Sequence, residues 1–92
     1  ILFLLFMAYK ADRFRQVVLA SLSTEIQGKV AGSQSFFDNS LANVARKFES
    51  ESLSAEDALR NVIDMLRQFS VYLSSSEERA LKKSLDTLIR SL

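Results

Sequence analysis

From Phe14 to Phe48, apolar side chains recur in steps of four and three: Phe14, Val18, Leu22, Ile26, Val30, Phe37, Leu41, Val44 and Phe48, with Ser33 holding a polar place in the row. Such spacing lays one stripe along one face of an α-helix. No stretch keeps up the period of two that a half-buried strand needs. Proline is absent, so nothing removes a backbone N–H or drives a ring into the preceding turn. The chain reads as all-α. From Ile26 to Phe48 the steps run 4-3-4-4-3-4, an eleven-residue repeat occurring twice. That favours a nearly straight or slightly right-handed seam over a left-handed coiled coil.

Two glycines interrupt the stripe, Gly28 and Gly32, and each costs about 1 kcal/mol relative to alanine inside a helix. Ser35-Phe36-Phe37-Asp38 follows, an S-x-x-D pattern able to cap a new helix at Phe36. Two architectures compete. In one, a continuous helix occupies residues 1–49 and Gly28 and Gly32 form a small-xxx-small contact face. In the other, the chain turns or kinks near Gly32-Ser33 and four helices form a bundle. Phase persistence favours the first; the glycines and the cap, as local punctuation, favour the second. A turn with positive φ at Gly32 predicts that alanine there destabilises the protein.

The second half is less ambiguous. Ser50-Glu51-Ser52-Leu53-Ser54 is polar, and Ser54 with Asp57 makes a capping box ahead of an acidic first turn. Leu53 is placed to staple onto Ala58 or Leu59. Ala58, Leu59, Val62, Met65, Leu66, Phe69 and Leu73 then form a 3-4 stripe. Ser74-Ser75-Ser76-Glu77-Glu78 ends that helix and starts another, with Ser75 and Glu78 as the second capping pair, and Leu81, Leu85, Leu88, Ile89 and Leu92 supply its apolar face. These signals predict an antiparallel helical hairpin over residues 54–92, with Leu59, Val62, Leu66, Phe69, Leu81, Leu85 and Leu88 buried. The expected fold is a small bundle of three to four helices.

The first nine residues, Ile1 to Tyr9, carry no polar group but the Tyr9 hydroxyl, and Lys10, Arg13 and Arg15 follow. Nine apolar residues are about half a membrane span. Small residues suited to signal-peptide cleavage do not follow. Two readings of residues 1–9 stand: the truncated end of a membrane anchor, or a helix buried in a larger assembly. Residues 10–92 then form a single helical domain. The passage from apolar segment to amphipathic helix through Tyr9-Lys10-Ala11-Asp12-Arg13 resembles the membrane exit of bacterial membrane-bound sensors over the first third of the chain. The resemblance implies a signalling segment and assigns no family.

Charge narrows the partners. Twelve basic and eleven acidic residues are spread evenly along the 92 residues, which gives no basic face for nucleic acid. Histidine and cysteine are absent, removing the usual base of a nucleophilic triad and the usual zinc ligands. The acidic pairs Glu56/Asp57 and Glu77/Glu78 sit where helix-start carboxylates offset the macrodipole. No catalytic, cofactor or metal residues are expected. Phe36 and Phe37 point about 100° apart on a helix, so a small core buries one easily and the second less easily. The expectation is a non-catalytic, membrane-proximal interaction module that oligomerises or binds a protein partner, with Phe36, Phe37, Gly28 and Gly32 as interaction residues and residues 1–9 as a possible membrane contact. The alternative is a soluble four-helix bundle holding a lipid or small apolar ligand in its core.

Overall fold

A computed structural model describes the backbone of residues 2–91 and the side chains of residues 10–91. Five α-helices follow in order: α1 (Leu2–Ser21), α2 (Thr24–Val30), α3 (Gln34–Glu51), α4 (Ala55–Arg67) and α5 (Ser75–Ser91), with a 3₁₀ turn, Ala31–Ser33, between α2 and α3. The protein is 85% helical, and no strand occurs among the described residues. The long helices α1, α3, α4 and α5 form a ring: α1 packs on α3 and α5, and α4 closes the ring by packing on the same two. Short connections make α3, α4 and α5 successively antiparallel, as in an up-and-down bundle, while α2 and the 3₁₀ turn carry the chain from α1 to α3. Among the described residues no helix is long and apolar enough to cross a membrane. Helix α1 carries Lys10, Asp12, Arg13 and Arg15 in its span. The expected roles of the side chains of residues 1–9, and of Leu92, lie outside the described residues.

The continuous helix over 1–49 does not form. It breaks at Leu22-Ser23, ahead of both glycines, and again at the expected Gly32-Ser33, where the 3₁₀ turn ends on Ser33 (φ −128°, ψ 35°). Ser23 is extended (φ −70°, ψ 161°) and its hydroxyl accepts the Ile26 N–H at 3.2 Å, capping α2. The side-chain oxygen satisfies a donor that the helix start would otherwise leave open, so a serine suffices to end one helix and begin another. Neither glycine has positive φ, and a Cβ at either would meet nothing within 4 Å. The turn therefore does not need their conformational freedom. Helix α3 starts at Gln34, two residues before the predicted Phe36, with Ser33 ahead of it making no side-chain cap bond. Within the first turn Gln34 donates to Asp38 at 2.9 Å.

Both later reversals put serine where glycine is usual. Ser52 closes α3 in the left-handed region (φ 49°, ψ 49°). At the end of α4, Ser70 (φ 59°) is left-handed. There the Val71 N–H donates to the Leu66 carbonyl and the Ser70 N–H to the Arg67 carbonyl, both at 3.0 Å. That pair of bonds is a Schellman motif, and the two residues that usually make its apolar contact, Leu66 and Val71, are both buried in the core. The helix therefore stops short of Leu73. Ser54 caps α4 as expected, accepting the Asp57 N–H at 3.2 Å. The second capping box is shifted by one: Ser74 accepts from Glu77 N–H at 3.2 Å, and the Glu77 carboxylate accepts the Ser74 N–H at 3.0 Å. Three serines before two glutamates fit either register locally; the backbone register of α5 selects Ser74.

The core is apolar throughout the described residues, with no buried polar or charged side chain. Phe14 stacks on Phe48 (centroids 4.6 Å apart), and Phe37 meets Phe69 edge-on at 5.5 Å. Val62, Leu66, Leu81, Leu85 and Leu88 are buried as predicted, whereas Leu59 and Phe69 are only half-buried. Ala58, Met65 and Val71 take the remaining places. In α3, Ala45 rather than Val44 faces inward, since four-residue steps from Phe37 and Leu41 carry the stripe to position 45.

Candidate interaction surface

The Phe37–Phe69 contact brings the start of α3 to the C-terminal end of α4, and the 3₁₀ turn leads into α3 at that end. Consecutive residues on α3 part company here. Phe37 is 1% exposed and Phe36 is 74% exposed, because one helical step of 100° separates core from solvent. Three residues beyond Phe69, Tyr72 is 72% exposed while its neighbour Val71 is buried. Leu19, near the end of α1, is the third exposed large apolar side chain among the described residues.

Of the residues singled out in the sequence, Phe36, Gly28 and Gly32 are exposed, Phe36 at this end. Phe37 does not; it is core, and it takes the place that a stripe in four-residue steps requires. Nothing of the chain packs against either glycine where a side chain would stand, so within the chain they form no close-contact face. Tyr72 stands outside the apolar stripes of the sequence. Its exposure follows from the turn at Ser70, which sends Val71 inward and the next residue out.

The groove between α1 and α5 has a volume of about 420 Å³, lined by Val17, Ala20, Ser21, Lys83, Ser84 and Thr87, and it is open to solvent. Two of its hydroxyls are already engaged: Ser21 donates to the Val17 carbonyl at 2.8 Å and Thr87 to the Lys83 carbonyl at 3.0 Å. They offer little to a polar ligand.

The acidic pairs lie in the first turns of α4 and α5. Hydrogen bonds from the Ser74 backbone N–H and then from its hydroxyl hold the Glu77 carboxyl below its ordinary range, against a small opposing effect of desolvation. These are helix-start roles. Among the described residues no group of three or more His, Cys, Asp or Glu is placed to hold a metal ion. No family model matches the chain, and neither the curated proteins nor the solved structures give a match.

Proposed function

We propose that this protein is a non-catalytic helical interaction module, membrane-proximal through residues 1–9, that engages a protein partner or a second copy through the end bearing Phe36 and Tyr72. The observation that carries this reading is the contrast within α3: Phe37 satisfies the core, yet the adjacent Phe36 leaves three quarters of its surface in water. A phenylalanine buries 150–250 Å², so covering Phe36 is worth roughly 3–5 kcal/mol before the costs of association. Tyr72 adds a ring with a polar tip, the type enriched at interfaces. The apolar run of residues 1–9, followed by Lys10 and Arg13, supports the membrane-proximal part.

Sedimentation velocity at micromolar concentrations tests the contact. Wild type is expected to associate, and Phe36→Ser or Tyr72→Ser to weaken association while leaving thermal stability nearly unchanged. A wild type that stays monomeric and captures no partner dependent on Phe36 removes the basis of the proposal. Flotation with lipid vesicles, comparing the full chain with residues 10–92, tests the membrane contact separately.

A further inference from the structure

The α1–α3 junction departs from helix at Leu22-Ser23 and again at Ser33, with α2 and a 3₁₀ turn between. Ser23 is extended and Ser33 departs from helix geometry (φ −128°, ψ 35°). Between them Ala31 (−57°, −36°) has right-handed α values, as does Gln34 just beyond. Both glycines keep negative or extended φ and have room for a Cβ. Across this bend the apolar pattern stays in phase. Ile26, Phe37 and Phe48 recur at intervals of eleven, and so do Val30 and Leu41. All five are buried in the bent form, and on an unbroken helix they would share one stripe. With no proline in the chain, nothing in its chemistry forbids that helix.

We infer that the junction is a hinge for exchange of α1 between two copies of this chain. On straightening at Ser23 and Ser33, α1, α2 and α3 run as one helix, and α1 leaves the groove it fills between α3 and α5. A second straightened copy supplies an identical α1. Phe14 of one copy then stacks on Phe48 of the other, and Val18 and Leu22 return to an equivalent core. Every contact that α1 makes within the chain is remade between chains, so the exchanged dimer keeps the packing of α1. Ile26 and Val30, buried in the closed chain, leave their places as the junction straightens, and are covered again where the two straightened junctions cross. Two features hold the closed monomer: the Ser23 cap and the entropy of staying single. The partner is a second copy, and neither Phe36 nor Tyr72 takes part in the exchange.

Spin labels at Arg15→Cys and Lys47→Cys report the hinge directly, since both positions are exposed and the chain has no native cysteine. In the closed chain the labels sit on adjacent helices, about 10–25 Å apart. On a straight helix the 32 intervening steps separate them by about 48 Å. The doubly labelled chain is refolded at high concentration with excess unlabelled chain, so that only distances within one chain are read. A dimer fraction showing the 48 Å distance is expected, and Ser23→Ala with Ser33→Ala should raise the dimer-to-monomer ratio about tenfold or more, since the cap is lost and a continuous helix gains. Dimers showing only the short distance would overturn exchange and point to a surface contact. Monomers alone, in wild type and variant, would overturn it too.

Discussion

Replacing Ser70 by glycine should make the protein more stable. Ser70 occupies the left-handed position of the turn after α4 (φ 59°), where the Cβ of an L-residue crowds the following carbonyl at a cost of roughly 1–2 kcal/mol. Glycine removes that crowding but returns roughly 0.5–1 kcal/mol through its greater freedom in the unfolded chain. The Ser70 side chain is exposed and so little packing is lost with it. The expected net gain is about 0.5–1 kcal/mol, or a rise in melting temperature of roughly 2–8 °C for a domain of this size. Urea unfolding with unchanged m-value, alongside thermal melts by circular dichroism, measures it. Ser70→Ala is the control, because it keeps the Cβ and should be close to neutral. Ser52, also left-handed, should respond in the same direction, and the two gains should nearly add because the length of α4 separates the sites. If Ser70→Gly were no more stable than Ser70→Ala, the turn would carry no left-handed strain and the Schellman assignment would fail.

Gly28→Ala and Gly32→Ala should each stabilise by several tenths of a kcal/mol in chemical denaturation, since both sites have negative or extended φ and open space; this reverses the loss that a left-handed turn at Gly32 predicts. Leu66→Ala and Leu85→Ala, at fully buried positions, should each cost about 2–5 kcal/mol, and a loss under about 0.5 kcal/mol at both would place the stripe in solvent. Phe37→Ser should unfold the chain or cost at least about 3 kcal/mol, against a change within about 0.5 kcal/mol for Phe36→Ser measured on the monomer. The depressed Glu77 carboxyl stabilises the fold above its unfolded pKa, and that contribution is lost as pH falls through the lower folded value. Glu77→Gln should therefore reduce the acid dependence of stability between about pH 5 and pH 3, and an unchanged pH profile would remove the capping box from the account.

Much of this fold was legible because helix signals are local. The 3-4 spacing of Val62, Leu66, Leu81, Leu85 and Leu88 needs only the helical period, and Ser54 with Asp57 marks a helix start within four residues. The absence of proline and of alternating runs settled the all-α class. Tertiary structure decided the rest, wherever two local solutions were nearly equal. Ser74 and Ser75 both satisfy the capping pattern, and the register that α5 adopts in the bundle separates them. The Schellman turn at Ser70 lacks the usual glycine marker, and the burial of Val71 in the core holds it in place. Phe36 and Phe37 are indistinguishable by type. Phe69 on α4 draws Phe37 inward, and the same rotation leaves Phe36 in solvent. The junction after α1 is the sharpest case. Its sequence supports both a continuous stripe and a capped break, and only closure of α1 onto α3 and α5 tips the balance to the bend at Ser23.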